Sequence, residues 1–223
     1  MTLAQQLKEG TKESHSAAEN TKFVASFLRG VVNPEEYRKL IANFYFVYSA
    51  MEEAISSTED SMVKAIRSED LERKESLAKD LEYYYGSYWE TTIKPSEACN
   101  TYVNRIKQIA ETDPYLLIAH HYTRYIGDLS GGKILKGIAE KALNPPKGEG
   151  LHFYNFPMIE DAKAFKTDYR AILDGLELNE QQINALITEA NYAFRLNMYM
   201  FDEIEGSATQ GFFKVLLNFI KGV

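Results

Sequence analysis

Between Ala119 and Leu135 an apolar helical repeat runs through Gly127, Gly131 and Gly132 without changing period. Each glycine costs a helix about 0.8 to 1 kcal/mol relative to Ala. A helix that retains three of them is therefore expected to need bare backbone on one side, where something flat can lie. Gly127 and Gly131 are four residues apart and share one helix face, so together they form a strip without side chains. Ile126, Leu129, Ile134 and Ile138 keep helical spacing across the glycines, which predicts one helix, kinked at Ser130-Gly131-Gly132. The competing reading makes those three residues a turn between two helices. Gly127 to Lys133 also resembles the start of a phosphate-binding loop, but residue 134 is Ile rather than Ser or Thr and a helical pattern precedes it.

The rest of the chain is helical in pattern, and no alternating stretch suggests a strand. Thr2 and Gln5 form a capping box, and Phe23 to Leu28 reads as a short helix closed by Gly30. Asn33-Pro34-Glu35-Glu36 opens a long helix through Ile55. Ser56 to Ser61 reads as a loop, with a weak helix near Val63 and Ile66. Further helices are predicted over 69–85, 96–111, from Asp113-Pro114 to Asn144, and over 158–174 and 180–205, with a connection at 87–95 and an irregular segment from Asn144 to Pro157. The apolar faces of the last two helices need the earlier ones to cover them. This predicts an all-α fold in a single domain spanning 1–223, with a peripheral tail from about residue 207.

A formal net charge of −7 argues against nucleic acid or an anionic membrane as the main partner, since both need clustered basic surface. The single cysteine, Cys99, leaves no intrachain disulfide and points to a reduced compartment, cytoplasmic or the stroma of a plastid. No signal-peptide pattern opens the chain, and the apolar run from Phe212 to Ile220 is far shorter than the roughly 20 residues that span a bilayer. A soluble protein is expected. With 15 Tyr and 12 Phe the aromatic content is high, which suits a pocket for a flat ligand and equally suits an aromatic core.

Lys8, Lys12, His15 and Glu19 fall within a band of roughly 60° on one helix. His15 with a carboxylate one turn away fits a single metal ligand, or else is an incidental histidine on a solvated face. His120 and His121 are adjacent, point about 100° apart on a helix and cannot share one ion. Glu149-Gly-Leu-His152 is the only Glu-x-x-His unit, whereas a di-iron bundle needs two. One histidine without companion ligands suits haem iron, whose equatorial positions the porphyrin fills. Asp128, beside the glycine strip, is the carboxylate available to organise water near such an iron, or is an ordinary surface aspartate. Lys166 and Arg170, again four apart, would with Lys8 and Lys12 meet two propionates, or form exposed faces.

Thr11 to Asn20, Phe44 to Glu53, Tyr122 to Gly132 and Phe194-Arg-Leu-Asn197 together resemble the haem oxygenases, in particular the soluble cyanobacterial and plastid type. The resemblance extends over about 200 residues in the family's order, and its glycine-containing motif is the most specific. It implies haem b as both substrate and cofactor, with O2 and an external electron donor cleaving the ring at the α-meso carbon to biliverdin IXα, CO and ferrous iron. His15 would be the proximal iron ligand, with Glu19 hydrogen-bonded near it. The helix carrying Gly127, Gly131 and Gly132 would cover the distal face, with Asp128 organising distal water and Arg124 beside it. Lys8, Lys12, Tyr122, Lys166 and Arg170 match positions that meet the propionates, and Phe194 and Asn197 match distal pocket positions. Ile126 stands where Leu is usual and Lys133 where Gln is usual; neither removes a catalytic group. No flavin or nicotinamide motif is present, so electrons would come from ferredoxin or another reductase, and a bilin reductase would take the product. Two other readings remain: a haem-binding or haem-sensing protein without turnover, and a thiaminase-like helical enzyme.

Overall fold

A computed structural model describes residues 1–204, and among them there are helices and no strands. The expected tail from about residue 207 lies outside the described residues. The helices are α1 (Leu3–Gly10), α2 (Lys12–Glu19), α3 (Lys22–Leu28), α4 (Pro34–Ser57), α5 (Ser61–Ile66), α6 (Lys74–Tyr85), α7 (Trp89–Thr92), α8 (Glu97–Thr112), α9 (Leu117–His121), α10 (Gly127–Leu143), α11 (Ala162–Asp174) and α12 (Glu180–Ile204).

Local chemistry accounts for most boundaries. Thr2 and Gln5 cap each other's backbone, Asn33 accepts from Glu35 and Glu36 ahead of the Pro34 start, and Asp60, Ser96 and Asp161 cap the helices that begin just after them. Gly30 and Gly86 leave their helices with φ of 79° and 78°, and Asn144 turns left-handed at 45° before the two prolines.

The single helix expected over 69–85 is instead a 3₁₀ turn at Glu69–Leu71 and then α6. Arg73 is the reason. Its backbone N–H and that of Lys74 donate to Glu52 Oε1 at 2.6 and 3.1 Å, while its buried guanidinium donates to the carbonyls of Leu71, Asp70, Phe153 and Asn155 and lies 3.8 Å from the Phe156 ring. These long-range partners hold the chain outside helical geometry at that point. Similarly, the helix expected from 158 begins at Ala162, where Asp161 caps it.

Two long helices carry the core. α4 buries Tyr37, Ile41, Val47, Tyr48 and Met51 completely, and α12 does the same with Leu186, Ala190, Ala193, Leu196 and Met200. Most aromatic residues fill this interior, as in the stacked pair Phe23–Phe201 and the edge-to-face pair Tyr45–Trp89, with centroids 5.6 and 4.9 Å apart. One hydrophobic cluster joins Leu3 to Phe201.

Adjacent His120 and His121 take separate partners, as their angular offset requires. His120 Nε2 lies 2.8 Å from Glu189 and its Nδ1 3.3 Å from the Tyr102 hydroxyl, while Arg105 donates twice to Glu189. Burial opposes a charge on Glu189, but the bonds from Arg105 and His120 hold its carboxyl down at about 2. His121 bonds the Tyr169 hydroxyl at 2.8 Å and stacks on that ring. Burial lowers His121 to about 3, so the folded protein keeps it neutral where the unfolded chain protonates below about 6.5. The unfolded state then binds the extra proton, and stability falls as pH drops below about 6.5. The urea midpoint is expected to decline steadily between pH 7 and 5, and His121→Gln to flatten that decline; an equal slope in the variant would assign it to another group.

Candidate active site

A π turn at Tyr122–Ile126 joins α9 to α10, and α10 then runs regularly through Gly131 and Gly132. That unbroken helical run disposes of the turn and phosphate-loop readings. A π turn inserts one residue and rotates the helix beyond it, so it re-aims Asp128 relative to α9.

Arg124, inside the π turn, is what the rotation serves. Its Nε donates to the Tyr48 hydroxyl at 2.9 Å, one terminal nitrogen to Asn197 Oδ1 at 2.8 Å and the other to Asp128 Oδ1 at 3.3 Å. The guanidinium carbon sits 4.5 Å from the Phe44 centroid. The Tyr48 hydroxyl donates to the second oxygen of Asp128. Burial raises the Asp128 carboxyl above its ordinary value, with Arg124 and the Tyr48 bond pulling it back. Burial likewise raises the Tyr48 hydroxyl, which therefore stays protonated as a donor. Asp128 is thus an oriented carboxylate and not a surface one, with 13 % of its side chain exposed.

The three glycines divide by role. A Cβ added at Gly127 or Gly131 would meet no atom within 4 Å, whereas one at Gly132 would lie 3.7 Å from the Tyr154 ring. Gly132 packs against the segment around His152–Tyr154, and Gly127 and Gly131 border open space next to Asp128. That segment is itself pinned by Asp80, which accepts from His152 N, His152 Nδ1 and Phe153 N at 2.7 to 2.8 Å.

His15 stands on α2, a helix with no buried residue, and its side chain is 59 % exposed. Glu19 Oε2 lies 3.7 Å from Nδ1, too far for the hydrogen bond the resemblance implies; both side chains are more than half exposed, and solvent competes for them. Phe194, expected on the distal side, instead meets His15 edge-on with centroids 5.7 Å apart. The reason lies in α12: Phe194 faces α2, while Asn197, one turn later, reaches Arg124. One helix therefore connects His15 to the Arg124–Asp128 pair.

The cations lie on α1, α2 and α11, and the one helix expected to carry Lys8, Lys12, His15 and Glu19 parts at Thr11 into α1 and α2. Lys166 Nζ donates to Ser130 on α10 at 3.3 Å, and the charge of Arg170 acts on Tyr122, whose hydroxyl burial raises. The Ala4 N–H donates to Asp174 at 2.8 Å, clamping α1 to α11, with Lys8 one turn from Ala4 and Arg170 one turn from Asp174. Lys8, Lys12 and Arg170 are exposed and make no salt bridge among the described residues.

Sequence reasoning passed over Tyr48, because its helical position reads as core, and it is in fact fully buried. It also missed Glu52, which accepts from the Tyr125 hydroxyl at 3.2 Å beneath the site. The one available signal was an acid and a tyrosine four residues apart on an otherwise apolar face of α4.

Residues 1–203 match the family described as Heme oxygenase. The chain is 52 % identical over 219 residues to "Heme oxygenase" of Guillardia theta, covering 98 % of this chain and 92 % of that one. It is 51 % identical over 208 residues to "Heme oxygenase 1" of Synechocystis sp., covering 93 % and 86 %. A crystal structure of the Synechocystis heme oxygenase-1 in complex with heme superposes with a TM-score of 0.90 at 48 % identity, covering 99 % of this chain and all of the other. With an all-α fold shared along its whole described length and about half of its residues identical to these relatives, the chain belongs to the haem oxygenase family.

Proposed function

We propose that this haem oxygenase binds haem b between α2 and α10 and opens it at the α-meso carbon to biliverdin IXα, releasing CO and ferrous iron. The observation that carries this reading is the open face over Gly127 and Gly131 beside an oriented Asp128, tied through α12 to an exposed histidine. The residues fit a planar dianionic ring: a strip a Cβ would fill, one imidazole, and Lys8, Lys12 and Arg170, which make no salt bridge among the described residues. Among the described residues no group of three His, Cys, Asp or Glu side chains could hold a metal by itself, so an iron here needs a ring to complete its ligands.

Bound haem supplies the iron at which O2 is reduced and is itself the ring that is opened. The protein's part is orientation and proton handling. His15 would be the residue that binds the iron. The bare backbone at Gly127 and Gly131 would let a flat ring come close to α10 without meeting a side chain. Asp128, held by Arg124 and Tyr48, keeps a carboxylate aimed at that face to order water and deliver protons. Lys8, Lys12, Lys166, Arg170 and Tyr122 would meet the propionates and fix the ring's rotation, which would favour the α edge. Electrons come from ferredoxin or another reductase, since the chain carries no flavin or nicotinamide motif; such an acidic donor makes turnover fall with ionic strength. Loss of the Soret band with bilin formation, on adding haem and reductant in air, is the expected result, and a stable haem spectrum would leave the haem-sensing alternative. Among the described residues no helix is long and apolar enough to cross a membrane.

The glycine strip makes a prediction with opposite signs. In the haem-free protein Gly131→Ala has room for its Cβ and stabilises α10 by up to about 1 kcal/mol. With haem present the same methyl group occupies the ring's space, so haem affinity falls. Melting temperatures of the haem-free protein and haem titrations check both signs; a rise in both quantities would remove the close-approach role of Gly131.

A further inference from the structure

α2 presents a physical problem. Eight residues are too few to be helical alone, and this helix buries no side chain, so hydrophobic burial does not hold it in place. Ser14 and Ala18 are its half-buried positions, and Ser14 meets α12. What fastens it is polar. Ser14 Oγ donates to Asn191 Oδ1 at 2.5 Å, and Asn191 Nδ2 donates to the carbonyls of Gly10 at 2.9 Å and Ile187 at 2.8 Å. These three bonds fix the orientation of the Asn191 amide, because only its nitrogen can give to two carbonyls while its oxygen takes the hydroxyl.

Asn191 therefore grips both sides of the α1–α2 junction: the last carbonyl of α1, and the residue immediately before His15. The junction sits close enough for this because residue 10 has no side chain; a Cβ there would lie 2.6 Å from Ile187 Cγ2. One turn further along α12, Phe194 meets the His15 ring. The carboxylate that the sequence offers for orienting His15, Glu19, stands at 3.7 Å in solvent.

We propose that Asn191, acting through Ser14 and Gly10, is the positioning residue that sets where His15 presents its imidazole. This rests on the reading of His15 as the iron ligand. Nothing else polar joins α2 to α12 among the described hydrogen bonds, so loss of the amide leaves the helix free to shift and the imidazole poorly aimed.

The test compares Asn191→Leu, Ser14→Ala and Ser14→Thr in the full chain loaded with haem. Asn191→Leu and Ser14→Ala are expected to release haem about five- to tenfold faster to an excess of a haem acceptor, the scale of one or two lost hydrogen bonds. They are also expected to shift and broaden the iron–histidine stretching band of the ferrous complex. Ser14→Thr, which keeps the hydroxyl, restores both. Should Asn191→Leu fail to fold, the serine pair decides alone. A lowered melting temperature of the haem-free protein with parental release rate and band makes Asn191 merely structural and overturns the proposal. His15→Ala is the control: a parental band there sinks the ligand reading itself, whereas its loss there with parental Asn191→Leu sinks only the positioning role.

Discussion

His15→Ala is expected to cut the rate of haem ring opening by more than about a hundredfold while leaving the fold nearly untouched. Changes one shell out from a metal already cost about 10- to 100-fold, so removal of the only ligand costs more. Stability should move by no more than about 0.5 kcal/mol, because the side chain is largely exposed and α2 buries nothing. These two effects separate a ligand from a packing residue. Single-turnover decay of the Soret band, measured beside a urea titration of the haem-free protein, reads both; a parental rate would falsify the assignment. Glu19→Gln is expected to change little by comparison, since at 3.7 Å in solvent the two side chains make at most a weak contact.

The second large effect is at Asp128. Asp128→Ala is expected to leave haem affinity within a few-fold of the parent, because the carboxylate lies beside the bare strip and does not hold the ring, and to reduce ring opening by about a hundredfold. Reductant and O2 should continue to be consumed without stoichiometric bilin, the signature of protons reaching the wrong oxygen. Alanine also strands Arg124, whose charge is then met only by Tyr48 and Asn197, and removal of one partner from a buried pair costs about 3–5 kcal/mol. Asp128→Asn keeps the shape and an acceptor for Tyr48, so comparison of the two variants separates proton handling from stability. Bilin yield per electron consumed is the measurement. A parental yield in Asp128→Asn would leave Asp128 with a structural role alone.

Much of the molecule was legible because its signals are local. Caps at Thr2, Asn33 and Ser96 and stops at Gly30, Gly86 and Asn144 act within a few residues of themselves, and the helices begin or end there as expected. The shared face of Gly127 and Gly131 comes from the four-residue spacing, and their open surroundings agree with it. What failed depended on partners far along the chain. The break before α6 is made by Glu52, 21 residues away, and by carbonyls 80 and 82 residues away. Phe194 carries no mark in its motif that would turn it toward His15.

By itself, then, the sequence determined the helical class, the placing of most helix ends and the bare strip, since periodicity and capping are properties of neighbours. Only the tertiary structure decided that a π turn precedes the glycines, that Tyr48 and Arg124 orient Asp128, and that Asn191 of α12 holds the histidine helix by a hydrogen bond from Ser14. The physical reason is the same in each case. A buried arginine, tyrosine or amide takes its direction from whichever oxygen or nitrogen the fold brings within about 3 Å, and no spacing along the chain encodes that distance.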